Sequence, residues 1–414
     1  MKFPNPFAGL GPVIGWLAFM RLVGGLGFAI SLPFLSIYLH EDLGIAMSVI
    51  GVMLATAGLL GGVSATAGGM LSDRIGRRSL LIGLLALRAV SFLLLAYLVW
   101  AKSPFAIFAA VYIFSSILGT SIFPLTEAIV SDVTPTNKRA DAFSVLRVAS
   151  NLGWAIGPAV GGVLVIFGYY WLFVVTAMMI GGAATVASFA IHETNKPVAG
   201  VKNKTLLAPV LRDRRLMIFM GVGLLMFLAR GQLISTLSVH LSGTVGLSKS
   251  QIGWLYALNG GMVAALQMLT TKYTNRINPL SALSFAAGMY AAGYFLVGWA
   301  GGMIEMIVAM LIITTAEMIE TPTAAAYVTM LAPEGLTGSY LGVFHFAFHL
   351  GWTVGPMVGG IFIDLAPDPL YAWTGIATLA AIGGIGFRIM KEFDSRRVAA
   401  LEAPLESRLP EDAA

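Results

Sequence analysis

Apolar residues in this chain come in long unbroken runs separated by short polar interruptions. A helix needs roughly 20 consecutive apolar residues to cross the hydrocarbon core of a bilayer. Runs of that length stand at roughly 13–37, 47–70, 79–100, 104–131, 140–167 and 170–193, and again at roughly 215–242, 250–271, 280–299, 303–330, 338–364 and 370–391. The pattern predicts an all-α membrane protein with twelve transmembrane helices. The longest interruption, 194–214, divides an N-terminal six-helix half (1–193) from a C-terminal one (215–391), and a polar tail (392–414) follows. Met1 to Pro12 leads into the first run without a small-residue cleavage site, so no cleavable signal is expected.

Composition agrees. Only 11% of the 414 residues are charged and 57% are hydrophobic, against roughly 25% charged in soluble proteins. With no Cys there is neither a disulfide framework nor a thiolate metal site. No metal or other cofactor is expected. The formal charge of +5 does not point to nucleic acid, because the basic residues lie in short loops. Lys2, Arg74, Arg77, Arg78, Lys138, Arg139, Lys196, Lys202, Lys204, Arg212, Arg214, Arg215, Lys272, Arg276, Lys391, Arg396, Arg397 and Arg408 fall on one side of the predicted topology. Lys102 and Lys249 fall on the other. Positive charge marks the cytoplasmic side, so both termini and the central loop are expected there, in an inner (plasma) membrane. There is no HExxH, no Walker A loop and no cluster of nucleophile and base, so neither an enzyme nor a direct ATP-driven pump is expected.

The segment Leu152–Val163 (LGWAIGPAVGGV) recurs 198 residues later as Leu350–Ile361 (LGWTVGPMVGGI), with eight of twelve positions identical. The same offset relates Pro124 to Pro322 and Pro135 to Pro333. Parallel repeats of this kind predict two halves related by an axis along the membrane normal, with a substrate site between them. Gly153, Gly157 and Gly161 share one helix face and suit close packing. Pro158 can bend the helix, and Gly355 and Pro356 repeat the arrangement. Packing and a bend that serves a rocking motion both remain open readings.

Gly69, Leu71, Asp73, Arg74, Gly76, Arg77 and Arg78, in the loop after the second span, resemble the signature loop G-x-L-x-D-R-x-G-R-R/K of the major facilitator superfamily. Gly153–Gly162 resembles the fifth-span motif of that superfamily's antiporters, and Gly27-Phe28 with Leu32-Pro33 resembles a first-span pattern of its twelve-span drug:proton antiporters. The resemblance implies the major facilitator fold. It also implies a cytoplasmic gate in which Arg77 meets a carboxylate on a neighbouring helix end, with Asp132 the natural candidate. Two departures stand out. Ser115 occupies the place, four residues before Gly119, where drug antiporters of this kind carry Arg. The second-half copy of the loop, Lys272 to Pro279, has no Asp.

Ionisable residues inside spans are costly and usually line a cavity. Here they are Arg21, Arg88, Arg147, Arg230, Arg388, Glu127, Glu317 and Glu320, with His345 and His349 one turn apart. Glu317 and Glu320 lie on neighbouring parts of one helix face, where two carboxylates at low dielectric resist joint ionisation. That suits a proton or cation site, and permanent pairing with Arg230 is the competing reading. Glu127 is a further proton candidate with Arg147 as its partner. Arg21 and Arg388 are expected to snorkel. The expected function is secondary active transport: proton-coupled antiport of lipophilic, cationic small molecules (multidrug efflux) by alternating access, in a monomer whose partners are substrate, protons and lipid. The alternative on the same fold is a symporter or uniporter of an anionic or lipid-like metabolite.

Overall fold

A computed structural model describes residues 10–135, 138–194, 207–333 and 336–402, excepting the side chains at 66, 67, 69, 70, 73, 74, 140, 207, 208 and 395–402. Twelve long helices are present among them. In the first half they are α1 (Pro12–Ile37), α2 (Met47–Ile75), α3 (Arg77–Trp100), α4 (Phe105–Val133), α5 (Arg139–Leu164) and α6 (Tyr170–Ala190). In the second they are α7 (Arg214–Arg230), α8 (Lys249–Thr274), α9 (Pro279–Trp299), α10 (Met303–Leu331), α11 (Thr337–Leu365) and α12 (Pro369–Glu402). Eleven are long and apolar enough to cross a membrane. The twelfth, α10, is 29 residues long and carries Glu305, Glu317 and Glu320.

Local chemistry sets the helix ends. Asp213 caps α7 by accepting from the amides of Arg215 (2.8 Å) and Leu216 (3.3 Å). Ser248 and Gln251 form a capping box on α8. Asn278 caps α9, with Pro279 in its first turn. Gly76 separates α2 from α3 at φ +94°, a backbone region that favours glycine.

The halves repeat the same packing. In the first, α1 packs on α5 and α6, α2 on α4, and α3 on α4 and α6. In the second, α7 packs on α11 and α12, α8 on α10, and α9 on α10 and α12. In the first half α1 runs into a π-helical turn at Tyr38–Asp42; in the second, the segment after α7, through Gly231–Leu233 and Thr236–Val239, ends in another at His240–Thr244. The halves meet along two crossed seams, α2 against α11 and α5 against α8.

The repeated glycine motif explains the crossing. A Cβ on Gly153, Gly157 or Gly161 would strike α1 at Leu22, Ala29 or Ile30, and one on Gly351, Gly355 or Gly359 would strike α7 at Phe227 or the 3-10 turn that follows it at Gly231 or Gln232. The adjacent Gly162 and Gly360 face the opposite half, against the start of α8 (Lys249) and of α2 (Met47). Each Gly-Gly pair thus presents one residue to its own half and one to the other, because neighbouring helix positions point about 100° apart. These glycines let the helices pack closely, and Pro158 and Pro356 sit inside continuous helices.

Candidate transport site

All four polar contacts between the halves, among the described residues, lie at the end of the bundle opposite the termini. Ser36 Oγ and Ser235 Oγ are 2.9 Å apart, and Lys249 Nζ reaches Glu41 Oε2 at 2.6 Å. The Asp364 carboxylate, at the end of α11, accepts from the amides of Met47 (3.0 Å) and Ser48 (2.8 Å) at the start of α2. Near mid-depth the halves still touch, with Trp154 edge-on to Trp352 at 6.3 Å and Gly58 against Thr353. On the terminal side of that level His345 of α11 lies within electrostatic range of Arg147 and Glu127 on the first half, yet bonds to neither. The geometry is sealed at the far end and parted at the end that carries the termini.

The second half holds the densest polar cluster. Arg230, on α7, donates through Nη2 to Glu317 Oε1 at 2.8 Å and holds Nη1 3.4 Å from Glu320 Oε2. Its guanidinium also lies over the rings of Phe348 (4.7 Å) and Trp352 (5.9 Å) on α11, a cation–π arrangement suited to low dielectric. Asn259 of α8 donates to Glu317 Oε2 (3.1 Å) and to Thr314 (2.9 Å). Tyr290 of α9 donates to Glu320 Oε2 at 3.0 Å. Tyr290 stacks on Tyr294, which stacks on Trp373, which meets His240 edge-on.

The two carboxylates differ. Glu317 is 19% exposed with both oxygens bonded, whereas Glu320 is 0% exposed and its Oε1 has no partner. One guanidinium faces two carboxylates, leaving one excess negative charge. A buried charge of that kind is costly unless a proton or cation joins it. The competing expectation, pairing with Arg230, is therefore present for both glutamates, and it accounts for only one of the two charges.

The first half differs from expectation at several points. Glu127, 54% exposed, pairs with Arg21 at 3.4 Å rather than with Arg147. Arg21 does not snorkel: it is buried, bonds the Phe123 carbonyl at 3.1 Å and covers that residue's ring. Arg147, His345 and His349 are exposed. The two His rings contact Phe344 and Phe348 and make no hydrogen bond among the described residues. Arg88 of α3 sets its guanidinium against Gly119 of α4, where a Cβ would come within 2.3 Å of Cζ. A cation from α3 thus occupies the space beside Gly119, although Ser115 of α4 supplies none.

In the signature loop, Arg77 bonds Asp132 and the Ala128 carbonyl (2.9 Å), so the expected pairing is present. Arg78 bonds the Ser188 carbonyl at 2.7 Å. Glu193 caps α3, accepting from the amides of Arg77 (2.8 Å) and Arg78 (3.2 Å), and a Cβ on Gly76 would collide with it. Sequence reasoning missed Glu193, Asn259, Tyr290 and Asp364. Glu193 could have been noticed as an acidic residue just past a span. The side chains of Asp73 and Arg74, and Gly69, fall outside the residues whose side chains are described.

Two six-helix repeats crossing on glycine seams around a buried cluster of opposite charges define a membrane transporter rather than an enzyme. The sequence profile of the Major Facilitator Superfamily matches residues 17–356 and, in an overlapping match, 219–408. The chain belongs to that superfamily. Its relatives include the MFS-type transporter YqjV of Bacillus subtilis, 25% identical and covering 95% of this chain and 98% of the relative. They include the Na(+), Li(+), K(+)/H(+) antiporter of Planococcus maritimus, at 26%, 92% and 97%. Multidrug resistance protein MdtH of Aeromonas hydrophila stands at 26%, 89% and 92%. Among solved structures, nucleoside transporter NupG superposes with a TM-score of 0.76 at 12% identity, covering 92% of this chain and 99% of that one, which is a likeness of fold.

Proposed function

We propose that this transporter is a proton-coupled antiporter that exports lipophilic cationic small molecules by alternating access. The observation that carries the reading is the charge count at Arg230, Glu317 and Glu320: two carboxylates against one guanidinium. Either a proton or a cationic substrate neutralises the excess, so the two compete for one site, which is the condition for exchange. Glu320, sealed from solvent and with an oxygen free, is the proton carrier in this scheme. Glu317, partly exposed and fixed by Arg230 and Asn259, faces the substrate. This assignment favours cation exchange over the anionic-metabolite alternative, because Arg230 is engaged. The names of its relatives include an alkali-cation/H(+) antiporter and a multidrug resistance protein, and the same excess charge serves either cargo.

The excess of Lys and Arg at the end carrying the termini supports a cytoplasmic assignment for it, in an inner membrane. On that orientation the state described above is inward-open. The Asp364, Glu41–Lys249 and Ser36–Ser235 contacts are then the outer gate. Arg77 and Asp132 belong to one half and stay paired while the inner end is parted, so on this reading the pair braces the first half rather than closing the inner gate by itself.

The test is efflux from proteoliposomes under an imposed pH gradient, with tetraphenylphosphonium and sodium as separate cargoes. Glu320→Gln, which removes the excess charge as a bound proton would, is expected to abolish gradient-driven transport and to leave cargo binding weak and insensitive to pH, whereas Glu317→Gln is expected to weaken binding while leaving it sensitive to pH. If no gradient drives either cargo, or if Glu320→Gln transports like the unaltered protein, the assignment is wrong.

A further inference from the structure

A groove of about 600 Å³ opens on the outer face of the second half, lined by Ser281, Ser284, Phe285, Gly288, Met289 and Ala292 of α9, Ile312 of α10, and Arg388 and Lys391 of α12. Its character changes with depth. At the terminal end stand two cations, Arg388 and Lys391, neither ion-paired among the described residues, beside a Ser281 hydroxyl that is buried with no partner. No carboxylate lines it. Of the two acidic residues that follow on α12, Glu392 is exposed and lies outside the lining, and Asp394 is taken by Arg215 (2.8 Å) and Tyr327 (3.1 Å). Toward mid-depth the lining is apolar. A Cβ on Gly288 would meet nothing within 4 Å, so the groove floor there is open.

We propose that this groove is a binding site for an anionic phospholipid of the leaflet at the terminal end. Charge and length together select the occupant. The cations and the free hydroxyl match a phosphodiester headgroup, and basic pockets between membrane helices recognise such headgroups. From Ser281 to Ala292 the helix rises about 16 Å at roughly 1.5 Å per residue, which equals one leaflet of a core ~30 Å thick. A soluble phosphate would leave that apolar length empty. Arg388 thus serves as a headgroup ligand in addition to reaching the interface from within its span. The site lies on the lipid-facing side of α9 and α12, away from the Arg230 cluster, and does not depend on the transported cargo.

The experiment is native mass spectrometry of the full chain, released from nanodiscs of phosphatidylcholine with added phosphatidylglycerol. The unaltered protein is expected to retain phosphatidylglycerol over phosphatidylcholine. Arg388→Gln with Lys391→Gln should lower retention roughly thirtyfold, from the usual worth of two cations at an anionic leaflet. Arg388→Lys should keep most of it. Lys272→Gln with Arg276→Gln, removing two exposed cations at the same end, should change nothing. Gly288→Leu keeps the cations but fills the chain-binding floor, and should also lower retention. Inorganic phosphate should not compete. Equal retention in the double Gln variant overturns the proposal, as does full retention in Gly288→Leu or displacement by inorganic phosphate. A dimer that disappears with Gly288→Leu would show a second copy in the groove and would equally overturn it.

Discussion

Replacing Asp364 with Ala should open the far end of the transporter. Asp364, at the end of α11, caps a helix of the other half, accepting from Met47 N at 3.0 Å and Ser48 N at 2.8 Å. Losing an N-cap costs about 1 kcal/mol, with a range of roughly 0.5–2. Removing a carboxylate from a helix N-terminus adds about 0.3–1 kcal/mol. Both contributions exist only while the halves meet at this end. The sealed state therefore loses about 2 kcal/mol relative to the opened one, a ~30-fold shift. The chain has no Cys, so a single introduced thiol reports cleanly. Ser36 is 0% exposed at this seam, and the rate at which Ser36→Cys reacts with an impermeant maleimide follows the opened population. In the Asp364→Ala background that rate should rise about tenfold or more, with ~30-fold the value expected from a shift of about 2 kcal/mol. Asp368→Ala is the control, since Asp368 caps its own helix α12 through Leu370 N (2.8 Å) and bridges nothing. A labelling rate within twofold of the parent, or an equal rise with Asp368→Ala, would refute the assignment of Asp364 as a contact specific to the sealed state.

Two other outcomes are expected. Gly119→Ala puts a methyl where the Arg88 guanidinium lies; displacing that cation should cost about 1–3 kcal/mol, read as a lower melting temperature in detergent, and Arg88→Ala should restore much of the loss. Asp213→Ala removes the α7 cap and the acceptor of the Tyr340 hydroxyl (2.6 Å), costing about 1 kcal/mol at neutral pH. Burial pushes the Asp213 carboxyl up, but the Tyr340 hydroxyl, the Leu216 and Arg215 amides and the Arg215 charge outweigh it and hold it below its ordinary value. Its contribution is therefore present in full above the ordinary carboxylate range and lost as pH falls through the lowered value. Melting curves of parent and variant should converge in acid.

Much of this was written in one dimension. Apolar runs gave twelve helices because a bilayer leaves the backbone only helices or closed barrels, and unbroken runs of about 20 apolar residues fit helices alone; the 198-residue repeat gave two halves with the same packing. The pairing of Arg77 with Asp132 followed from a loop motif that sits at fixed helix ends. Glu317 and Glu320 could be seen to share a face, since three residues is nearly one helical turn. The errors have a common origin. Glu127 was paired with Arg147 by proximity in sequence, but α1 packs beside α4 and brings Arg21 there instead. The place of Arg88 was likewise invisible in the sequence, because its space beside Gly119 is made by a neighbouring helix.

What the sequence by itself determined is therefore what depends on residues within one helix or one repeat: span, direction, internal symmetry, and which positions carry charge. What only the tertiary structure decided is how each helix is rotated about its axis and which neighbour it meets. That rotation set Arg230 between two glutamates, gave Glu320 a buried oxygen with no partner, laid Asp364 on the other half's α2, and left Arg388 and Lys391 at the mouth of an apolar groove. Rotation is fixed by the packing of several helices at once, through glycine faces such as Gly161 and Gly162 that point to different partners, and a hydrophobic run that is apolar on all sides carries almost no record of it.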